Sequence, residues 1–397
     1  MSKEQNNKKN SNPDSSRRTD SKAGVRASGK KKIHPNVKWA IALVVEIIIL
    51  ALLGAGYATL YVNKKVDQLQ VVEIKHEDLA INEGANESQK EYTTIALFGI
   101  DARSTSSMAE GNRSDSIMIA SINNKTKEVK IASVYRDSLL EIQDGSGMTS
   151  KVNAAYSYGG PELAIKTLNA NLDLEISEFV TVNFLSLTQV IDDLGGIVID
   201  VEPNELPMLN AAITEQIGVT GIYSDGVFTT GDVLLNGTQA TAYARIRSTD
   251  QGDITRTERQ RDVVSKVIAK AKKSDMATID KIIDDVFPNI LTSINKTEML
   301  ELIKAIFDYQ LGETVGFPFA QVAQNDDAKG AVLVPADLSS NVSALHLFLF
   351  ETENYTPTQT VQNISAKLSA ETGVGAQEII INPYIAGEKT NEDGSTQ

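Results

Sequence analysis

The sequence predicts an α/β layered domain preceded by a single transmembrane helix. Two patterns carry that expectation. From Tyr92 onward, short β-branched runs alternate with segments of helical periodicity, as in a sheet covered by helices. Ahead of them, WAIALVVEIIILALLGAGYATLYV fills residues 39–62, with Glu46 its only ionisable group besides tyrosine. At about 1.5 Å per residue such a helix is roughly 36 Å long, enough to cross a hydrocarbon core of about 30 Å.

Residues 1–38 carry eleven Lys and Arg against three Asp and Glu in a Ser- and Asn-rich context, and read as a disordered basic arm. Positive flanks stay on the cytoplasmic side, which puts the N-terminus inside and the chain after Val62 outside. A cleaved signal peptide would have a shorter apolar stretch of about 7–15 residues, and a buried core helix would also be shorter. Residues 63–91 are polar and acidic, an expected extracellular stalk. Runs at 93–100, 116–122 and 129–134 have strand character. Gly160-Pro161 opens a helix to about residue 172, with Pro in its first turn. Strands at 179–184 and 197–201 flank the amphipathic LSLTQVIDDL. Helical patterns follow at 236–243, 255–272 and 297–310. AVLVPADLS and SALHLFLF then add a strand and a helix, closing the same domain or forming a small module of their own. The domain is thus expected over 92–372, and the aperiodic residues 373–397 read as a disordered tail.

Composition excludes several chemistries. The net charge of -14 conceals 27 basic and 49 acidic residues beyond the arm, a balance unsuited to nucleic acid. The chain has no cysteine, so disulfides, thiolate metal sites and a cysteine nucleophile are excluded. A domain of this size builds a core without disulfides, consistent with a Gram-positive-type surface. His34, His76 and His346 all fall outside residues 92–319, which leaves that region no imidazole base or zinc ligand. No GxSxG, P-loop or GxGxxG pattern occurs.

Arginine gives the positive signal. Beyond the span the eight arginines are Arg103, Arg113, Arg136, Arg245, Arg247, Arg256, Arg259 and Arg261, in two windows, whereas lysines are scattered. Arginine presents a rigid fork that matches phosphate or carboxylate bidentately. The windows alternate Arg with Asp, as in GIDAR, NRSDS, YRDS and RIRSTDQGDITRTERQ. An anion site and a set of structural Arg–Asp pairs both fit that alternation. Three segments adjoin expected strand ends, where open α/β sheets bind ligands. Arg245 and Arg247 share one side if the chain there is extended. Thr255 and Glu258 have capping-box spacing, which starts a helix and puts Arg256 in its first turn, where an anion is favoured. Gln260 lies one turn further on that face. Asp101 and Asp115 offer hard oxygens to Mg²⁺, which takes one or two carboxylates plus phosphate and water. Carboxylates, a divalent cation and Arg forks together suit phosphoryl transfer.

The ordered motifs GIDAR, NRSDSIMIASIN, IASVYRDS, KVNAAYSYGGPELAIKTL, VIDDLGGIVIDV and LNGTQATAYARIRSTDQGDITRTERQ resemble the LytR–CpsA–Psr family over residues 93–268. The basic arm and single span are similar to that family too. The resemblance implies a mixed central β-sheet flanked by helices, with an apolar pocket for a prenyl chain. It implies a membrane-anchored extracellular phosphotransferase, moving teichoic acid, capsular polysaccharide or a similar glycopolymer from a polyprenyl-pyrophosphate carrier to peptidoglycan. Carried over by motif, Asp101 and Asp115 correspond to metal ligands for Mg²⁺ or Mn²⁺. Arg136, Arg245, Arg247, Asp253 and Arg256 correspond to catalytic positions. The same four of those arginines, with Gln260, Arg113 and Lys151, correspond to substrate contacts. Arg103, Arg259 and Arg261 are left to salt bridging or polymer contact. Tyr135 departs from the family, which often has Pro there. Two rival functions remain: a pyrophosphatase acting on prenyl or nucleotide pyrophosphates, and a non-catalytic envelope protein binding anionic polymer or carrier lipid. A transcription-attenuating role, associated with the family's name, finds no DNA-reading module.

Overall fold

The computed structural model describes residues 64–383, apart from 66, 76, 78, 86–88, 101–107, 109–110, 247–252, 306 and 382. The expected arm and membrane span lie outside the described residues, as does most of the tail. Among the described residues no helix is long and apolar enough to cross a membrane.

The chain runs β1 (Gln70–Val71), β2 (Tyr92–Ile100), β3 (Ser114–Asn123), β4 (Glu128–Val134), β5 (Leu139–Glu141), β6 (Thr149–Lys151), α1 (Val152–Leu172), β7 (Glu178–Asn183) and α2 (Phe184–Asp193). Next come β8 (Ile197–Val201), α3 (Leu206–Thr220), β9 (Gly231–Leu235), α4 (Gly237–Tyr243), α5 (Asp253–Ala271), α6 (Met276–Val286), β10 (Leu291–Thr292) and α7 (Lys296–Lys304). The chain ends with β11 (Gln310–Phe317), β12 (Gln321–Asp326), β13 (Gly330–Pro335), α8 (Leu338–Phe350) and α9 (Gln359–Thr372).

Seven strands form one mixed sheet in the order β1-β10-β7-β2-β3-β4-β11. Strand β2 pairs parallel with β7 and antiparallel with β3, which is antiparallel to β4; β4 pairs parallel with β11. Strands β2, β4, β7 and β11 therefore run the same way and end at one edge, where β3 begins. Side chains alternate between faces as strand geometry requires. Phe98, Ile100, Ile119, Phe179, Val315 and Phe317 belong to the main core, with Tyr156 of α1, Leu345 of α8 and Ile364 of α9. Phe98 meets Tyr156 edge to face at 5.2 Å. The other face carries Ile95, Ile122 and partly buried Leu97 and Val180, packed with Ile294 and Met299. A separate apolar cluster joins β8, α3, β9, α4 and Val263 of α5.

The expected strands and most helices are present, with four informative differences. Helix α1 starts at Val152, ahead of Gly160-Pro161, and kinks at Gly159 and Gly160, whose φ values are -151° and 63°. Pro161 cannot donate into the preceding turn and crowds it, so the helix breaks just before the proline. Helix α5 begins at Asp253, not behind a Thr255 cap; an acidic residue in the first turn suits the positive helix end. The helix expected to reach residue 310 gives way to edge strand β11. At its Gly316 an added Cβ would lie 2.1 Å from the Tyr135 hydroxyl, so only glycine leaves room for that ring. Lastly, residues expected as a stalk pack against the domain: Leu79 is wholly buried, and Gln70 and Val71 pair with Leu291 and Thr292.

A polar knot fastens this segment to the C-terminal helices. Asp173, buried at the left-handed cap of α1, accepts from Asn82 Nδ2 at 2.6 Å, Thr358 N at 2.7 Å and Thr358 Oγ1 at 2.6 Å. Beside it, His346 stacks on Tyr355 at 3.7 Å, with its Nε2 3.0 Å from the Leu172 carbonyl. Burial pushes the imidazole down to about 4, only partly opposed by that carbonyl and by Asp173. The folded value lies below the unfolded one of about 6.5, so the neutral ring's contribution is complete above that pH and lost as pH falls toward 4. Wild-type stability in urea is expected to drop by about 2 kcal/mol from pH 7 to pH 5 through this group. His346→Gln, which keeps a donor for Leu172, is expected to remove that part of the slope; an equal slope in both proteins would refute it.

Candidate functional site

The shared strand edge collects the motif residues. Ile100, the last residue of β2 before Asp101, pairs with Ser114 at the start of β3 and with Asn183 at the end of β7. Asp115 follows Ser114, and Tyr135, Arg136 and Asp137 follow the end of β4. The start of α1 is tied to the same place, because Asn153 N donates to the Arg136 carbonyl at 3.2 Å and Val152 N to that of Ser138 at 2.9 Å. Ser114 Oγ, Asn153 Oδ1 and Asn183 Nδ2 are buried along this edge without a hydrogen-bond partner among the described residues. Buried polar atoms are normally satisfied, so such a row marks a place for water or a polar ligand.

Arg136 is the hub. Its Nη1 donates to Asp115 Oδ1 at 2.5 Å, and its Nε lies 3.7 Å from Asp137 Oδ2. Lys151 Nζ sits 3.0 Å from Asp137 Oδ1, and all four side chains are about four-fifths buried. Asp137 thus bridges the two cations that the motifs point to. The pairing of Asp115 with Arg136 is the structural arrangement that Arg–Asp alternation also allowed. Arg113 stands exposed just before β3.

The second window meets α3 and α5. Arg245 lies in the turn that closes α4, its N–H donating to the Ala242 carbonyl, rather than on extended chain. Its guanidinium sits 4.7 Å from the Phe184 ring centre, and Nη1 donates to Gln216 Oε1 at 2.7 Å. Arg256 and Gln260 are buried on α5, at 2% and 8% exposure, with Val263 continuing into the apolar cluster that contains Ile246. Arg259, left open from the sequence, makes a buried ion pair with Glu205 at 2.7 Å and donates to the Ile246 carbonyl at 3.2 Å. Asp101, Arg103 and Arg247 lie outside the described residues, and Asp253 is described in its backbone alone. Sequence reasoning does not single out Gln216, Glu205 or Phe184. Gln216 had a signal: it continues the Leu209–Ile213 stripe of α3, where an apolar residue would be expected.

The described residues include no group of three or more His, Cys, Asp or Glu able to cage a metal. Mg²⁺ does not require one, since it commonly takes one or two carboxylates together with phosphate oxygens and water. Asp115 fits that demand. Its side chain is 22% exposed, its Oδ1 is shared with Arg136, and its Oδ2 accepts no hydrogen bond among the described residues.

The fold is thus a mixed-sheet α/β domain with an arginine and two carboxylates clustered at its strand ends. Residues 57–332 match the LytR_cpsA_psr family model, and the chain belongs to that family. It is 30% identical over 267 residues to the polyisoprenyl-teichoic acid–peptidoglycan teichoic acid transferase TagV of Bacillus subtilis, a match covering 66% of this chain and 65% of that protein. It is 28% identical over 263 residues to the corresponding transferase TagU of Enterococcus faecalis, covering 65% and 79%. The chain therefore spans just under two thirds of TagV. The crystal structure of B. subtilis TagV superposes with a TM-score of 0.51 at 27% identity, covering 68% of this chain and 99% of that one. Streptococcus agalactiae protein gbs0355 shares the fold, with a TM-score of 0.57 at 24% identity, covering 71% and 95%.

Proposed function

We propose that this protein is a membrane-anchored extracellular transferase that moves a teichoic acid or similar anionic glycopolymer from a polyprenyl-pyrophosphate carrier to peptidoglycan. The observation that carries this reading is the largely buried cluster of Arg136, Asp115, Asp137 and Lys151 at the strand edge, in a family whose curated relatives are named as such transferases. In the proposed reaction a peptidoglycan hydroxyl oxygen attacks the phosphorus that bears the polymer. The bond from that phosphorus to the bridging oxygen breaks, polyprenyl phosphate leaves, and the hydroxyl proton passes to solvent. The protein supplies position and charge, which is most of what phosphoryl transfer needs. Arg136 and Arg245 neutralise phosphate oxygens from the two windows and Arg256 does so from the start of α5, where the neutral amide of Gln260 donates a hydrogen bond. Asp137 and Lys151 hold the hub in place.

Asp115, together with Asp101, would hold Mg²⁺ or Mn²⁺. When bound, the ion would offset negative charge on the pyrophosphate. The test is transfer of radiolabelled polymer from a synthetic lipid carrier to peptidoglycan. EDTA is expected to abolish transfer, Mg²⁺ to restore it, and Asp115→Asn to lose activity with little change in melting temperature. Activity that survives EDTA would remove the metal from the proposal. Release of polymer without any need for peptidoglycan would favour the pyrophosphatase reading.

The basic arm ahead of residues 39–62 supports an inside N-terminus. Protease added to wall-stripped cells is expected to degrade residues after 62 and spare 1–38. Protection of the domain would overturn the extracellular placement.

A further inference from the structure

We infer that Gln216 is a ligand-contacting residue of the anion site, holding Arg245 through its amide oxygen and donating its amide N–H to the phosphate that Arg245 binds. A guanidinium only donates, so the amide of Gln216 must turn its oxygen toward Arg245 Nη1, as it does at 2.7 Å. That fixes the orientation of the whole group. The NH₂ end, one amide width away, is a donor and nothing else.

Gln216 has 0% exposure, and its Nε2 has no hydrogen-bond partner among the described residues. Burying an amide donor without an acceptor is costly, so the position calls for an oxygen that arrives from outside the protein. Arg245 selects which oxygen. It is the arginine that the proposed site assigns to phosphate, stacked on the Phe184 ring at 4.7 Å with Nη1 beside the Gln216 amide, so an anion with several oxygens close together suits the pair. A pyrophosphate can bridge the guanidinium and the adjacent amide. The site of Gln216 on α3 supports this, because Leu209 and Ile213 on the same stripe are buried hydrocarbons and a third would pack there without penalty. The glutamine gives up apolar burial at that position for a donor next to Arg245.

This inference rests on the proposed anion site, and the test separates the two. Inorganic pyrophosphate is titrated calorimetrically into full-length protein in mild detergent, for the wild type, Gln216→Glu and Gln216→Met, each with a melting curve. Glutamate keeps an acceptor for Arg245 and strengthens that link. It also places negative charge where the amide donated. The expected result is therefore a split: Gln216→Glu melts at or above the wild-type temperature while its pyrophosphate affinity falls roughly 10–150-fold. A purely structural glutamine gives no such split. Gln216→Met, which removes both functions at similar volume, is expected to lose affinity too, and it carries the test if the glutamate variant does not fold. Wild-type affinity in either folded variant overturns the role of Gln216. No binding by the wild type overturns the anion site itself.

Discussion

Arg136→Lys is expected to lower the proposed glycopolymer transfer by roughly 10–150-fold while the protein stays folded. The substitution keeps the positive charge, so the loss measures the fork alone. In the wild type one guanidinium reaches Asp115 Oδ1 through Nη1 and lies 3.7 Å from Asp137 through Nε. The planar group reaches both carboxylates at once, through different nitrogens of one rigid fork. An ammonium is a point donor on a flexible stem and must give up one of these. The side chain is 19% exposed, which limits how far solvent can substitute for the lost contacts. The reading is initial-rate transfer at saturating carrier, with circular dichroism to establish the fold. Undiminished transfer by a folded Arg136→Lys would falsify the catalytic assignment and leave the Arg136–Asp115 pair as a structural link.

Arg136 is legible in the amino-acid sequence and Gln216 only faintly so, for a physical reason. An arginine in an acidic, lysine-solvated domain is conspicuous because its geometry is wasted on a solvated surface. Arg136, Arg256 and Arg259 are indeed largely or wholly buried. The central strands are legible for a similar local reason. In β7, Phe179 and Thr181 face the main core while Val180 and Val182 are partly covered, a period of two written in six residues. Other features depend on partners distant in sequence. Strand β11 exists because Gln310 to Phe317 lie alongside β4, and nothing within QLGETVGF specifies that partner. Its Gly316 is needed only because the Tyr135 ring comes to rest there. The polar segment ahead of β2 reads as a stalk because Asn82 and Gln89 find their partners at Asp173 and Ala170 only once the chain is folded. The same holds for Glu205, an acid among many until Arg259 closes on it.

That pair is where the largest loss of stability is expected. Glu205→Leu should lower the free energy of unfolding by about 3–5 kcal/mol, because it leaves a buried guanidinium without its counter-ion. Both side chains are 5% exposed, and Glu205 Oε1 receives Arg259 Nε at 2.7 Å. The other oxygen of Glu205 accepts from Glu202 N at 3.0 Å, which braces the turn entering α3. Arg259 lies 5.7 Å from the Tyr243 ring centre, and burial together with Glu205 raises the pKa of that phenol, so it brings no competing charge. Arg259→Met should cost a comparable amount by stranding the carboxylate. The double variant Glu205→Leu/Arg259→Met removes both charges and should recover most of the loss, since well-packed hydrocarbon often replaces a buried ion pair at little cost. Activity should not recover with it. Arg259 Nη1 also holds the Ile246 carbonyl, one residue from Arg245, and the double variant lacks that tether. Urea unfolding and transfer rates measured on the same three proteins would therefore diverge. If each single variant unfolds at the wild-type urea midpoint, the pair contributes nothing to the fold. If the double variant regains both stability and transfer, Arg259 has no part in positioning Arg245.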